Sequence, residues 1–193
     1  MKTICVYCGS SDGKDPAFLE SARALGKEML KRNIGLVYGG ASVGVMGEIA
    51  NTIMAGGGEV IGVIPKGIAD KEVAHSGITE LIIVKSMHER KAKMAELSDG
   101  FISLPGGIGT LEELFEVLTW AQLGFHTKPC SLLNVNGYYD HLLKFLDHAV
   151  ANDFVKKIHT DMLLKETDPA KLLEQMIDHT PIIVDKWIGQ DEI

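Results

Sequence analysis

The sequence predicts an α/β fold, one domain over residues 1–193 in which a doubly wound parallel sheet carries helices on both faces. Three observations support it. Six short runs are apolar almost throughout instead of alternating, as strands covered on both sides are. Stretches of helical periodicity separate those runs, and such a repeat closes into a parallel sheet through right-handed crossovers. Most strands also empty into glycine, serine or proline, so the loops at their carboxyl ends gather on one edge, where open α/β sheets bind ligands. A chain of 193 residues can bury a substantial core, and no internal repeat, low-complexity tract or linker divides it.

Ile4 to Tyr7 is the first strand, with Gly9-Ser10-Ser11 as its exit loop. Asp15 and Pro16 form an N-cap and first-turn pair. Phe18, Leu19, Ala22, Leu25 and Met29 then keep helical spacing as far as Lys31-Arg32-Asn33. Ile34 to Tyr38 is the second strand. The glycines after it, Gly39-Gly40 and Gly44-Val45-Met46-Gly47, lack the G-x-G-x-x-G spacing of a dinucleotide fingerprint, and no acidic residue ends the next strand, so a nicotinamide cofactor is not expected. They let a helix from Val43 to Ala55 lie close on the sheet. Gly56-Gly57-Gly58 breaks that helix, and Val60 to Ile64 is the third strand, closed by Pro65. Residues 66 to 78 read as a polar connection in which Glu72 and His75 have no periodic context. Leu81 to Val84 is the fourth strand.

Ser86-Met87-His88-Glu89 has the spacing of a capping box. On the helix it opens, Met87, Met94 and Leu97 share a face, and Arg90 lies in the middle of it. Either Arg90 snorkels, its stem packed and its head in solvent, or its fork of donors pairs with a carboxylate or phosphate at the strand ends.

Phe101 to Leu104 is the fifth strand and runs straight into Pro105-Gly106-Gly107-Ile108-Gly109 before Thr110 opens a helix. The first N–H groups of a helix have no internal partner and sit at the positive end of its dipole, so bare glycines there leave room for an anion, a phosphate above all. Thr110-Leu111-Glu112-Glu113 also fits a capping box, in which case Glu113 is a cap and no more. Leu111, Leu114, Phe115 and Leu118 form the core face of this helix, while Glu112, Glu116 and Thr119 take another side. Cys130 to Val135 is the sixth strand, and Asn136-Gly137 turns the chain into a helix from Tyr138 to Asn152. Weaker helical patterns around His159 to Lys165 and Asp168 to Ile177 follow, and Ile182-Ile183-Val184 is too short to assign.

A net charge of -7 argues against a general binder of nucleic acid or membrane surfaces and leaves room for a small anionic ligand. The chain has 3 cysteines, which make no disulfide framework; Cys5 and Cys8 match C-x-x-C but lie in an apolar strand, away from any helix start that would activate them. Met1-Lys2-Thr3 leads into strand without a leader pattern, and no apolar run has membrane length, so a cytoplasmic protein is expected. The 7 histidines are scattered without metal-ligand spacing. There is no G-x-S-x-G elbow and no G-x-x-x-x-G-K-[ST] loop. What remains is a phosphate cradle, an arginine drawn inward and a carboxylate one helical turn from the cradle. That set suits a phosphorylated sugar whose anomeric carbon is attacked by water, because a fixed carboxylate such as Glu113 stabilises an oxocarbenium-like state or deprotonates the water.

Pro105-Gly106-Gly107-Ile108-Gly109-Thr110-Leu111-Glu112-Glu113 resembles the P-G-G-x-G-T-x-x-E signature of the LOG ("Lonely guy") family, the cytokinin riboside 5'-monophosphate phosphoribohydrolases. The likeness continues through Gly39-Gly40 with Gly44-Val45-Met46-Gly47, Val63-Ile64-Pro65, Met87-His88-Glu89-Arg90-Lys91, Thr119-Trp120 with Gln122-Leu123-Gly124, and Leu133-Asn134 with Gly137-Tyr138-Tyr139. The resemblance implies a Rossmann-like fold, a homodimer with sites near the subunit interface, and hydrolysis of an N6-modified adenosine monophosphate to free base and ribose 5-phosphate. It implies catalytic roles for Arg90 and Glu113, phosphate binding by Gly106, Gly107, Gly109 and Thr110, and a nucleotide lined by Lys91, Glu112, Thr119 and Glu72, the last in surroundings that match no clear motif. It implies no metal and no organic cofactor. Members have also been labelled lysine decarboxylases, yet no residue pattern here marks a pyridoxal phosphate lysine. Two other readings stay open: a broader nucleosidase for AMP or other monophosphates, and a non-catalytic carrier of a phosphorylated cofactor, like the molybdenum-cofactor carriers that look similar in fold. Arg90 and Glu113 together favour catalysis, since a carrier needs no carboxylate at an anomeric carbon.

Overall fold

A computed structural model of the chain describes residues 1–69 and 74–183. Its strands are β1 Thr3–Tyr7, β2 Gly35–Tyr38, β3 Val60–Pro65, β4 Glu80–Val84, β5 Phe101–Ser103, β6 Cys130–Leu133 and β7 Leu163–Glu166. They pair in parallel throughout, in the order β4-β3-β2-β1-β5-β6-β7. The register places Cys5 between Val37 of β2 and Phe101 of β5. The interior strands are buried almost without interruption, whereas β4 and β7, at the two edges, are partly exposed. Two-sided cover is why their sequences do not alternate.

The helices are α1 Ala17–Lys31, α2 Gly44–Ala55, α3 Lys66–Ala69, α4 Met87–Glu96, α5 Ile108–Gln122, α6 Asp140–Ala151, α7 Lys157–Thr160 and α8 Pro169–Ile177. On one face of the sheet, Leu25, Met29, Ile49, Ile53 and Leu172 from α1, α2 and α8 pack on Ile4, Val6 and Leu36. On the other, Met94, Leu114, Val117 and Leu146 from α4, α5 and α6 pack on Cys5, Val37 and Phe101. The strand order turns back between β1 and β5, so their exit loops leave toward opposite faces and open a crevice between them.

Three expectations are corrected. The helical pattern around His159 to Lys165 is only one turn, α7, followed by the strand β7, whose Leu163 pairs with Cys130. A four-residue edge strand, Leu163-Leu164-Lys165-Glu166, is too short to show a period, and pairing with β6 decides its state. The helix expected to open at Thr110 starts at Ile108 with Gly107 as N-cap, and no side chain caps it, so the capping box at Thr110 does not form. Beyond β6, residues 134 and 135 leave the sheet, and Val135–Gly137 make a 3-10 turn with Asn136 at φ 48 and Gly137 at φ 71. Ile182 and Ile183 lie outside regular structure, and Val184 is outside the described residues.

Candidate active site

Both glycine-rich helix starts at the carboxyl edge of the sheet have donors to offer, and they use them differently. At α2 the N–H of Val45 donates to Ser11 O and that of Met46 to Gly9 O, at 3.4 and 3.2 Å. Gly44 makes this contact possible: it sits at φ +66, and an added Cβ would lie 2.3 Å from the Ser10 carbonyl carbon. At α5 the first helical bond runs from Leu111 N to Gly107 O, so the N–H groups of Ile108, Gly109 and Thr110 precede the helical ladder. A Cβ added at Gly107 or Gly109 would meet nothing within 4 Å, whereas one at Gly106 would lie 2.1 Å from Thr110 Oγ1. The α5 entrance is therefore open, with the Thr110 hydroxyl folded over Gly106. In front of it, a cavity of about 300 Å³ separates the β1 exit loop, Gly9 to Gly13, from Pro105-Gly106-Gly107, with Phe18, Val45 and Tyr138 as further walls.

Arg90 and Glu113 meet at the contact of α4 with α5 and do not line that cavity. Arg90 does not snorkel. Its side chain is 11% exposed; Nε donates to Val63 O at 3.1 Å and Nη2 to Gly39 O at 3.3 Å. A Cβ on Gly39 would lie 2.2 Å from Nη2, so this seat for the guanidinium exists because residue 39 has no side chain. Glu113, on the buried face of α5, brings Oε1 to 4.0 Å from Nη2, a charge contact longer than a hydrogen bond. Burial drives its pKa from 4.5 up to about 7, and the attraction of Arg90 only partly offsets that. A carboxyl that titrates near neutrality beside a fixed cation is equipped for proton transfer or for steadying a developing positive charge.

Lys91, next to Arg90 on α4, is also buried and reaches across to α5, with Nζ 2.5 Å from Glu112 Oε1 and 2.9 Å from Glu116 Oε1. Burial works against its charge, but these two carboxylates outweigh it and hold its pKa above the usual lysine range. The structure thus assembles Gly106, Gly107, Gly109 and Thr110 at the α5 entrance and Arg90, Lys91, Glu112 and Glu113 at the α4–α5 contact. Thr119 is exposed on α5, six residues past Glu113 and about 9 Å further along the helix. Glu72 lies outside the described residues. Sequence reasoning does not find Gly39 as the seat of Arg90, or Tyr138, whose Oη donates to Gly106 O at 2.6 Å. The Asn136-Gly137 turn at the same sheet edge is the one local signal for the latter. Among the described residues no group of three His, Cys, Asp or Glu side chains is arranged to hold a metal ion, and no helix is long and apolar enough to cross a membrane.

Comparison with known proteins adds four findings. A family model described as "possible lysine decarboxylase" matches residues 46–176. A probable cytokinin riboside 5'-monophosphate phosphoribohydrolase of Oryza sativa subsp. japonica is 50% identical over 181 residues, 94% of this chain and 80% of that protein. A cytokinin riboside 5'-monophosphate phosphoribohydrolase of Arabidopsis thaliana is 49% identical over 180 residues, 93% of this chain and 83% of that protein. In fold, the chain is similar to the molybdenum cofactor carrier protein of Chlamydomonas reinhardtii, with a TM-score of 0.67 at 22% identity, covering 92% of this chain and 99% of the other. Decarboxylation through pyridoxal phosphate needs a lysine that gives up its proton to form a Schiff base. Lys91, the buried lysine among the described residues, is held charged by two carboxylates and does not fit that part.

Proposed function

Because the chain belongs to the family of cytokinin riboside 5'-monophosphate phosphoribohydrolases, we propose that it hydrolyses the N-glycosidic bond of an N6-modified adenosine 5'-monophosphate, releasing free base and ribose 5-phosphate. The observation that carries this reading is the placement of Glu113: a buried carboxyl beside Arg90, on the same helix whose open glycine entrance faces the cavity. The phosphate binds at Gly106, Gly107, Gly109 and Thr110, where unpaired helix N–H groups and the dipole favour it. Binding energy from this remote group fixes the anomeric carbon against the catalytic pair. Ionised Glu113 stabilises the oxocarbenium-like state or takes a proton from the attacking water. Arg90, seated on two carbonyls, keeps part of Glu113 ionised at neutral pH and offers its remaining donors to the sugar.

Lys91, Glu112, Thr119 and Glu72 line the nucleotide on this reading, which family resemblance supports. The chain acts as one domain, residues 1–193, in a homodimer, again by resemblance. Three free thiols, Cys5, Cys8 and Cys130, suit a reducing cytoplasm.

The test is to incubate the purified protein with isopentenyladenosine monophosphate, AMP and the unphosphorylated riboside, and to quantify base and ribose 5-phosphate. Release from the monophosphates alone is expected, with the ratio of the first two measuring base preference. Tight nucleotide binding without release from any of them would replace the enzyme by a carrier.

A further inference from the structure

An anion site at a helix entrance stays usable only while the carbonyl oxygens of its loop point elsewhere, and here three consecutive ones are anchored. Leu104 O accepts from Tyr139 Oη at 2.6 Å, Pro105 O from Gly9 N at 3.2 Å, and Gly106 O from Tyr138 Oη at 2.6 Å. The first two anchors are buried or backbone; the third is a side chain on the cavity wall, 44% exposed. In a trans peptide the carbonyl and the following N–H point in opposite directions. Holding Gly106 O on Tyr138 therefore turns the Gly107 N–H away from the tyrosine and keeps a lone pair from swinging into the α5 entrance. That peptide has glycine on both sides, so little else restrains its rotation.

Tyr138 is itself well held. Its ring meets Phe18 edge-on at a centroid distance of 5.5 Å and Tyr139 at 5.0 Å. The left-handed pair Asn136 and Gly137 delivers it, and Asn136 Nδ2 donates to Asp15 Oδ2 at 2.9 Å, tying the turn to the start of α1. Resting on the phosphate site proposed above, we infer that Tyr138 is a positioning residue for the substrate phosphate: its hydroxyl sets the Gly106–Gly107 peptide so that the loop presents N–H groups to the anion.

Tyr138→Phe removes the hydroxyl and keeps the ring. With the monophosphate substrate, KM should rise about tenfold, the scale of one lost hydrogen bond, while kcat changes by less than about twofold. The inhibition constant of inorganic phosphate should rise by a similar factor while that of free adenine stays put, and the thermal midpoint should fall by no more than about 2–4 °C, the scale of one hydrogen bond in a chain of this size. A merely structural tyrosine would weaken both inhibitors together, or lower the midpoint while phosphate inhibition stays normal, and either result overturns the inference. Normal phosphate inhibition in the variant, with the wild type turning over monophosphates, sinks the inference alone. A wild type that neither cleaves monophosphates nor is inhibited by phosphate defeats the site reading and the inference with it.

Discussion

Glu113 is held between two opposing effects. Desolvation favours its neutral form, Arg90 at 4.0 Å favours the anion, and desolvation wins, leaving the pKa at about 7. A carboxyl whose folded pKa lies above its ordinary 4.5 binds its proton more tightly in the folded state, so its contribution to stability is full below about pH 4.5 and is lost as pH rises through 7. Over that window the loss is on the order of 3 kcal/mol. Glu113→Gln, neutral at every pH, should lower kcat by about 10²- to 10⁴-fold with substrate binding retained, and should be more stable relative to wild type at pH 8 than at pH 5. Urea midpoints at the two pH values check the second part; a variant with full activity would return Glu113 to a structural role. Gly39 makes a complementary case. Gly39→Ala forces a methyl into the space of Arg90 Nη2, so kcat should fall at least about tenfold, with about 1–3 kcal/mol lost from stability, read by kinetics and thermal unfolding.

At the scale of elements, α4 and α5 carry Arg90 and Glu113, the pair proposed for catalysis, and must keep their distance and rotation. Ser86 caps α4 by accepting from Glu89 N at 3.1 Å, while Glu89 accepts from Lys85 N at 2.7 Å rather than from Ser86, so the expected capping box closes one residue early. Lys91 bridges the helices by pairing with Glu112 and Glu116, which are one turn apart on α5 and repel each other without it. Its side chain is 10% exposed while that of Glu112 is 50% exposed, so solvent screens one of the two pairs. Lys91→Met should therefore cost about 1–2 kcal/mol and also lower kcat, because a small rotation of α4 moves Arg90 off Glu113. Added salt should weaken the wild type toward the variant in denaturant titrations; equal salt sensitivity would argue against the bridge.

For the whole molecule, the reversal of strand order between β1 and β5 places the cavity, and the outer unit of β7 and α8 closes the sheet on that side. Leu172 of α8 is fully buried in the layer shared with α1 and α2. Leu172→Ala should lower stability by about 2–5 kcal/mol with kcat nearly unchanged, since the residue is far in sequence and layer from the α4–α5 face. Loss of activity in step with the fraction folded would fit; a kcat defect in fully folded protein would mean the two layers are coupled.

Chain-local chemistry determined much of this protein. Apolar runs bounded by glycine and proline marked six of the seven strands, the glycine loop before α5 marked a candidate anion site, and Arg90 in a methionine stripe beside a helix bearing Glu113 marked the catalytic candidates. Tertiary structure decided the rest. It made Leu163–Glu166 a strand through pairing with β6, and it started α5 at Ile108, which took Glu113 out of a capping register and onto the buried face. It also raised that carboxyl to neutrality, seated Arg90 on a carbonyl 51 positions away, and brought Tyr138 to a loop 32 positions before it. Periodicity and turn chemistry act within a few residues and can be read along the chain. Desolvation, close approach and carbonyl orientation depend on which distant residues come together, and only the packed fold brings them there.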